Sequence, residues 1–117
     1  MKTKTNEWYR KKCVNLVKKQ VRETGKCRRC SRTKQQGFQM HGSHIYPEGV
    51  YKSMSADIDN ILCLCAICHW WWHENPVESG QWFKDKFPEL AGELKTRSQE
   101  TKKVDWKKAW EILKKLY

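Results

Sequence analysis

Apolar positions between residues 6 and 24 recur at helical spacing: Tyr9, Cys13, Leu16 and Val17, with Val14 and Val21 beside them and Lys or Arg on the remaining faces. The pattern predicts a helix over 6–24, capped by Asn6, with Glu7 near the positive end of its dipole and Gly25 as its stop. Residues 38–46 predict a short strand that Pro47 breaks, and residues 48–60 a loop with a second short strand. The unbroken apolar run Ile61-Leu62-Cys63-Leu64-Cys65 leads into a short helix near 66–74. Asn75-Pro76-Val77-Glu78 reads as a helix start, with Asn75 as cap and Pro76 in the first turn, and Trp82, Phe83 and Phe87 form its apolar side. Pro88 opens another helix through Leu90 and Leu94, and polar residues 95–103 read as a linker. Asp105 caps a last helix with Trp106, Ala109, Trp110, Leu113 and Tyr117 along one side, a stripe suited to a core or a dimer seam. The expected class is α+β.

A chain of 117 residues has room for one domain, 1–117: a basic helix over 1–26, a core over 27–76 and helices over 77–117. No apolar stretch is long enough to cross a bilayer, and the polar start Met1-Lys2-Thr3-Lys4 is no export signal, so a cytoplasmic location, without membrane attachment, is expected. Net charge is +11, unevenly spread: 13 basic and two acidic residues over 1–34, five and nine over 35–101, six and two over 102–117. Two basic ends around a mildly acidic middle point to a polyanion, because each neutralised phosphate releases condensed counterions.

Six cysteines in a chain without export features are expected to stay reduced. Cys27-x-x-Cys30 and Cys65-x-x-Cys68, 34 residues apart, have the spacing of a four-thiolate zinc site. Such a site leaves no place for water, so this zinc is structural and supplements a thin core. Cys13 and Cys63 lie outside the pattern and read as small buried hydrophobes.

All four histidines lie around these knuckles. His69 and His73, four apart on the expected short helix, share a face and can clamp one divalent ion. His69 follows Cys68 directly, so the structural metal anchors the start of the helix that carries it. His44 ends the expected strand, where a neutral imidazole can take a proton from water. The Asn60 side chain is placed to fix the loop carrying His44 or to orient its ring.

The series Ser43-His44-Ile45-x-Pro47, then Asp59-Asn60-x-Leu62-x-Leu64-Cys65-x-x-Cys68-His69, resembles the HNH endonuclease family over residues 27–76. The stretch from Cys68-His69-Trp70-Trp71-Trp72 through Asn75-Pro76 to Trp82-Phe83 is similar to a branch carried by bacteriophages and prophages, some of whose members act in recombination or DNA packaging. The resemblance implies a small zinc-stapled ββα-metal core flanked by the terminal helices, and a metal-dependent hydrolase that cuts or nicks DNA with little sequence preference. It implies that His44 is the general base, His69 a ligand of a catalytic Mg²⁺ or another divalent ion such as Mn²⁺ or Ni²⁺, and Asn60 the structural asparagine. His73 matches a second helix ligand of the colicin-type branch. Ser43 departs from the pattern, standing where an acidic or histidine ligand is usual. His41 is the available substitute; on a strand it shares a face with Ser43, about 6–7 Å along, and needs a bend that Gly42 permits.

Arg28, Arg29, Arg32, Lys34 and Lys52 lie close in sequence to these motifs and are candidate phosphate contacts, with Lys11, Lys12, Lys18, Lys19 and Arg22 adding attraction from the first helix. Trp70, Trp71 and Trp72 cover the other faces of the histidine helix, as core, as a partner surface or in contact with bases. Two alternatives to the nuclease stand beside it: a zinc-stabilised module that binds nucleic acid without cutting, and an accessory protein docking on phage machinery. A second copy of the chain is the other expected partner.

Overall fold

The computed structural model describes residues 3–100 and 102–117. Over these residues it is α+β, with five helices and one two-stranded antiparallel sheet. The order is α1 (Asn6–Glu23), β1 (Met40–His44), two single 3₁₀ turns (Lys52–Met54 and Ile58–Asn60), β2 (Ile61–Cys65), α2 (Ala66–Glu74), α3 (Pro76–Lys86), α4 (Pro88–Ser98) and α5 (Trp106–Leu116). No described helix is long and apolar enough to cross a membrane. The expected second strand within 48–60 is replaced by the two turns.

β2 is buried at all five positions, as its uninterrupted apolar run requires. It pairs with β1 from Met40 opposite Cys65 to His44 opposite Ile61. The amide of Ile45 donates to the Asn60 carbonyl at 2.9 Å and that of Ala66 to the Gln39 carbonyl at 3.0 Å, extending the ladder at both ends. α1 lies across both strands and along α5, burying Cys13, Val14, Val17 and Val21. Cys13 and Cys63 are both buried, as apolar side chains are.

β1 stays regular through Gly42, so the expected bend is absent. Gly42 serves a different purpose. A Cβ there would meet Ile61 Cγ2 and Lys18 Cγ at 3.1 Å and the Lys18 backbone at 3.3 Å. The missing side chain is what lets α1 approach the sheet.

Capping differs from the sequence expectation in two places. Thr5, not Asn6, caps α1, its hydroxyl accepting from the Trp8 amide at 3.0 Å. Asn6 instead accepts from the Trp106 amide at 2.9 Å and donates to the Val104 carbonyl at 3.1 Å, helping start α5 together with Asp105. Asn75 makes no side-chain cap for α3; its amide donates to the Trp71 carbonyl at the end of α2. The expected linker over 95–103 is helical as far as Ser98, because Arg97 reaches the carboxylates of Asp57 and Asp59 at 2.9 Å and ties α4 to the turn before β2. Thr101 lies outside the described residues.

Arg10 is 5% exposed and bridges Glu7, at 2.5 Å, to Glu48, at 3.1 Å, pinning α1 to the segment after β1. Asn60 locks that segment from inside. Fully buried, it accepts from the Tyr46 amide (2.8 Å) and donates to the carbonyls of Tyr46 (3.1 Å) and Met54 (3.2 Å). Replacing Asn60 with Ala leaves the Tyr46 amide and carbonyl without their partner and takes one of two donors from the Met54 carbonyl, which also accepts from the Asp57 amide. Asn60→Ala is expected to lower unfolding free energy by about 3 kcal/mol, seen as a shifted denaturant midpoint at unchanged slope.

Candidate metal centre and histidine cavity

Residues 26–33 fold back on themselves through a bridge between Lys26 and Thr33, with the Cys27 amide donating to the Arg32 carbonyl at 2.8 Å. Ser31 turns the knuckle with a left-handed φ of 67°. The Arg28 amide donates to the Cys63 carbonyl at 2.9 Å, seating the knuckle on β2. This brings Cys27 and Cys30 to Cys65, the last residue of β2, and Cys68, in the first turn of α2. The four Sγ atoms lie within 4.8 Å of one another, with Cys30 and Cys65 at 3.6 Å. Tetrahedral thiolates at 2.3 Å from zinc stand about 3.8 Å apart, so the donor set and spacing are compatible with that ion. All six cysteines are free thiols.

Burial pushes the Cys68 thiol up to about 12. A dicationic ion would offset that cost, and four thiolates around it would leave a dianion. Two arginines face the cluster. Arg29 Nη1 lies 3.4 Å from Cys68 Sγ, with its guanidinium 3.6 Å from the centre of the Trp71 ring. Arg32 Nη1 lies 3.5 Å from Cys30 Sγ, over Phe38 at 5.2 Å. Arg28 sits over Phe87 at 5.1 Å. Three of the expected phosphate contacts therefore cover aromatic rings, and two of them also meet sulfur. Lys34 lines a cleft beside Phe38 and Met40, and Lys52 one beside Arg10 and Glu48. None of the five lines the cavity that the histidines share.

That cavity, about 430 Å³, opens where β1, α2 and α1 meet, and His44, His69, His73 and Lys18 line it. The sequence placed Lys18 among the general attractive charges of α1; only the close packing at Gly42 brings it here. His44 Nε2 lies 2.7 Å from the Ser55 carbonyl. A carbonyl only accepts, so Nε2 carries the proton and a neutral His44 keeps its lone pair on Nδ1. The Ser55 carbonyl follows Met54, which Asn60 holds, so the asparagine fixes the turn that orients this ring.

His69 sits between two other imidazoles. Its Nδ1 meets His41 Nδ1 at 2.7 Å and its Nε2 meets His73 Nε2 at 3.1 Å. Burial, reinforced by His73, His41 and Lys18, pushes His69 down to about 4, so its ring is neutral at pH 7. The tautomer that gives its Nδ1 proton to His41 leaves Nε2 bare toward His73, as a metal ligand requires. His41 thus stands behind His69 and does not line the cavity. Among the described residues, only the cysteine quartet brings three or more such ligating atoms together. Ser43, on β1 next to His44, is 1% exposed, and its hydroxyl is the one buried side-chain oxygen or nitrogen among the described residues without a hydrogen-bond partner.

Of the tryptophans, Trp70 is 65% exposed, whereas Trp71 and Trp72 are half-buried against Trp82, and Trp72 also against Phe83. Comparison with protein-family models, with curated proteins and with solved structures gives no match.

Elemental analysis of the purified protein is expected to find one zinc per chain, lost in Cys65→Ala. Arg29→Ala is expected to speed zinc transfer to a chelator about five-fold, the worth of one charge-assisted contact of about 1 kcal/mol. Arg28→Ala, which removes no contact to sulfur, is expected to leave that rate unchanged.

Proposed function

We propose that the chain is a metal-dependent endonuclease or nickase of the HNH type, with a ββα-metal core, acting on DNA. The observation that carries this reading is the shared cavity of His44, His69 and His73, one residue along the chain from the cysteine cluster. The order of β1, β2 and α2, with Asn60 buried at the end of the second turn, supports it, as does the net charge of +11. Zinc held by Cys27, Cys30, Cys65 and Cys68 is structural.

His69 and His73 would hold the catalytic divalent ion through Nε2. The fit is to the donor type: two imidazole nitrogens 3.1 Å apart, with the only carboxylate lining the cavity, Glu48, already paired to Arg10. Imidazole suits ions such as Ni²⁺ better than Mg²⁺. When bound, the ion supplies Lewis-acid relief of charge on the phosphate under attack.

The remaining steps belong to the chain. His44 Nδ1 accepts a proton from the attacking water while Nε2–H stays bonded to the Ser55 carbonyl, which fixes the ring and stabilises the imidazolium that forms. Lys18 offers a cation to the phosphate at the wall of the cavity. His41 orients His69 and keeps its tautomer. The attack breaks the bond from phosphorus to the 3′ oxygen, which takes a proton from solvent water, leaving 5′-phosphate and 3′-hydroxyl ends. One such centre cuts one strand, and a phage or prophage setting follows from the resemblance.

A plasmid assay tests the reading. Nicking is expected with Ni²⁺ or Mn²⁺ at lower concentration than with Mg²⁺. His44→Ala is expected to reduce it by about 10²–10⁴-fold with DNA binding retained. His41→Ala is expected to raise the metal concentration for half-maximal activity by about 10–100-fold while sparing the rate at saturation. Binding without cleavage in any metal would instead favour the non-catalytic module, and a phage protein retained after nuclease treatment the accessory role.

A further inference from the structure

A second cleft adjoins the histidine cavity. It holds about 670 Å³ between the segment after β1, the end of α2, and helices α3 and α4. The two spaces share Ile45, Trp72 and His73 as a common wall. Tyr46 and Tyr51 line one side, and Trp72 and the buried Phe83 another. Tyr46 meets Tyr51 edge to face (5.1 Å, 77°), as Trp72 meets Phe83 (6.2 Å, 87°), and none of Tyr46, Tyr51 and Trp72 stacks face to face on another described ring.

Charge narrows the choice of guest. Residues 35–101 carry nine acidic residues against five basic, yet among the described residues no carboxylate lines this cleft. Lys84 from α3 and Lys95 from α4 stand on it, both exposed and neither in an ion pair among the described residues. A flat aromatic guest that carries negative charge satisfies both sets of groups. The volume lies within the range of small-molecule sites, about 300–1,000 Å³.

We propose that this cleft seats one unpaired nucleotide of the DNA strand whose neighbouring phosphate lies at the histidines, its base among Tyr46, Tyr51 and Trp72 and its phosphate toward Lys84 or Lys95. The placement of that phosphate rests on the nuclease reading; the binding of the nucleotide does not. A base inside a duplex is stacked on both faces and cannot enter an aromatic cleft without leaving the helix, at a cost of a few kcal/mol. A base in a single-stranded tail or gap has no such cost, and stacking on protein rings favours it whatever its identity. The substrate class is therefore DNA with unpaired nucleotides beside the scissile bond, recognised by shape and not by sequence.

Gly80 gives a clean test. It lies within α3 on the wall of the cleft, and a Cβ there meets nothing within 4 Å. Gly80→Leu fills the space and favours the helix, so the fold survives. Binding is measured by fluorescence anisotropy without added divalent ion, on a short blunt duplex and on the same duplex with a single-stranded tail. The tail is expected to tighten binding about ten-fold, the effect of stacking one base. Gly80→Leu and, separately, Lys95→Glu are expected to remove most of that gain, whereas Lys107→Glu on α5 weakens both DNAs alike. Equal affinity for the two DNAs, or a gain that survives Gly80→Leu, overturns the proposal. So does free dTMP saturating the cleft while the tail gives no gain. A tail preference without nicking in any metal supports the cleft and removes the nuclease; nicking indifferent to the tail and to Gly80→Leu does the reverse.

Discussion

Four sulfurs converging on the corner between β2 and α2 set the geometry of everything around them. Cys65 closes the strand and Cys68 lies in the first turn of the helix, so the cluster fixes the angle at which α2 leaves the sheet. His69 is the next residue, and its direction follows from that angle. The Cys27–Cys30 knuckle bonds to β2 through the Arg28 amide, so the other half of the cluster also belongs to the sheet. A described core of thirteen buried side chains, three of them cysteines of the cluster, is small, and a bound ion would add rigidity to it.

The second constraint is polar. The Asn60 side chain bonds to the backbone of Tyr46 and Met54, and so helps fix where the Ser55 carbonyl stands relative to His44. In the proposed reaction the proton acceptor is thus set by a buried amide that never touches substrate, and the ligand at His69 by a cluster that never touches it either.

Local signals in the sequence carried the elements well. The helical period of residues 9–21, the prolines at 76 and 88 and the apolar run at 61–65 each mark an element that the structure contains within a few residues. The cysteine spacing pointed to the cluster because two-residue spacers leave little geometric freedom. Long-range consequences were not legible. Asn6 obeys local capping rules but bonds to residues 98 and 100 positions away. Gly42 suggested a bend, whereas its significance lies in Lys18, 24 positions earlier. The arginines of the knuckle read as free charge because nothing local announces that Trp71, Phe38 and Phe87 will come beneath them.

The bond between Asn6 and the start of α5 bears on how the molecule assembles. Helix α5 draws part of its N-terminal capping from α1, so two segments a hundred positions apart must meet before it is complete. Closing so long a span is entropically slow, and contacts within the sheet and its knuckle are much nearer in sequence. During synthesis the hairpin and α2 can therefore organise first, while the amphipathic stripe around Trp106 remains uncovered until the last helix docks, a window in which chaperones have something to hold.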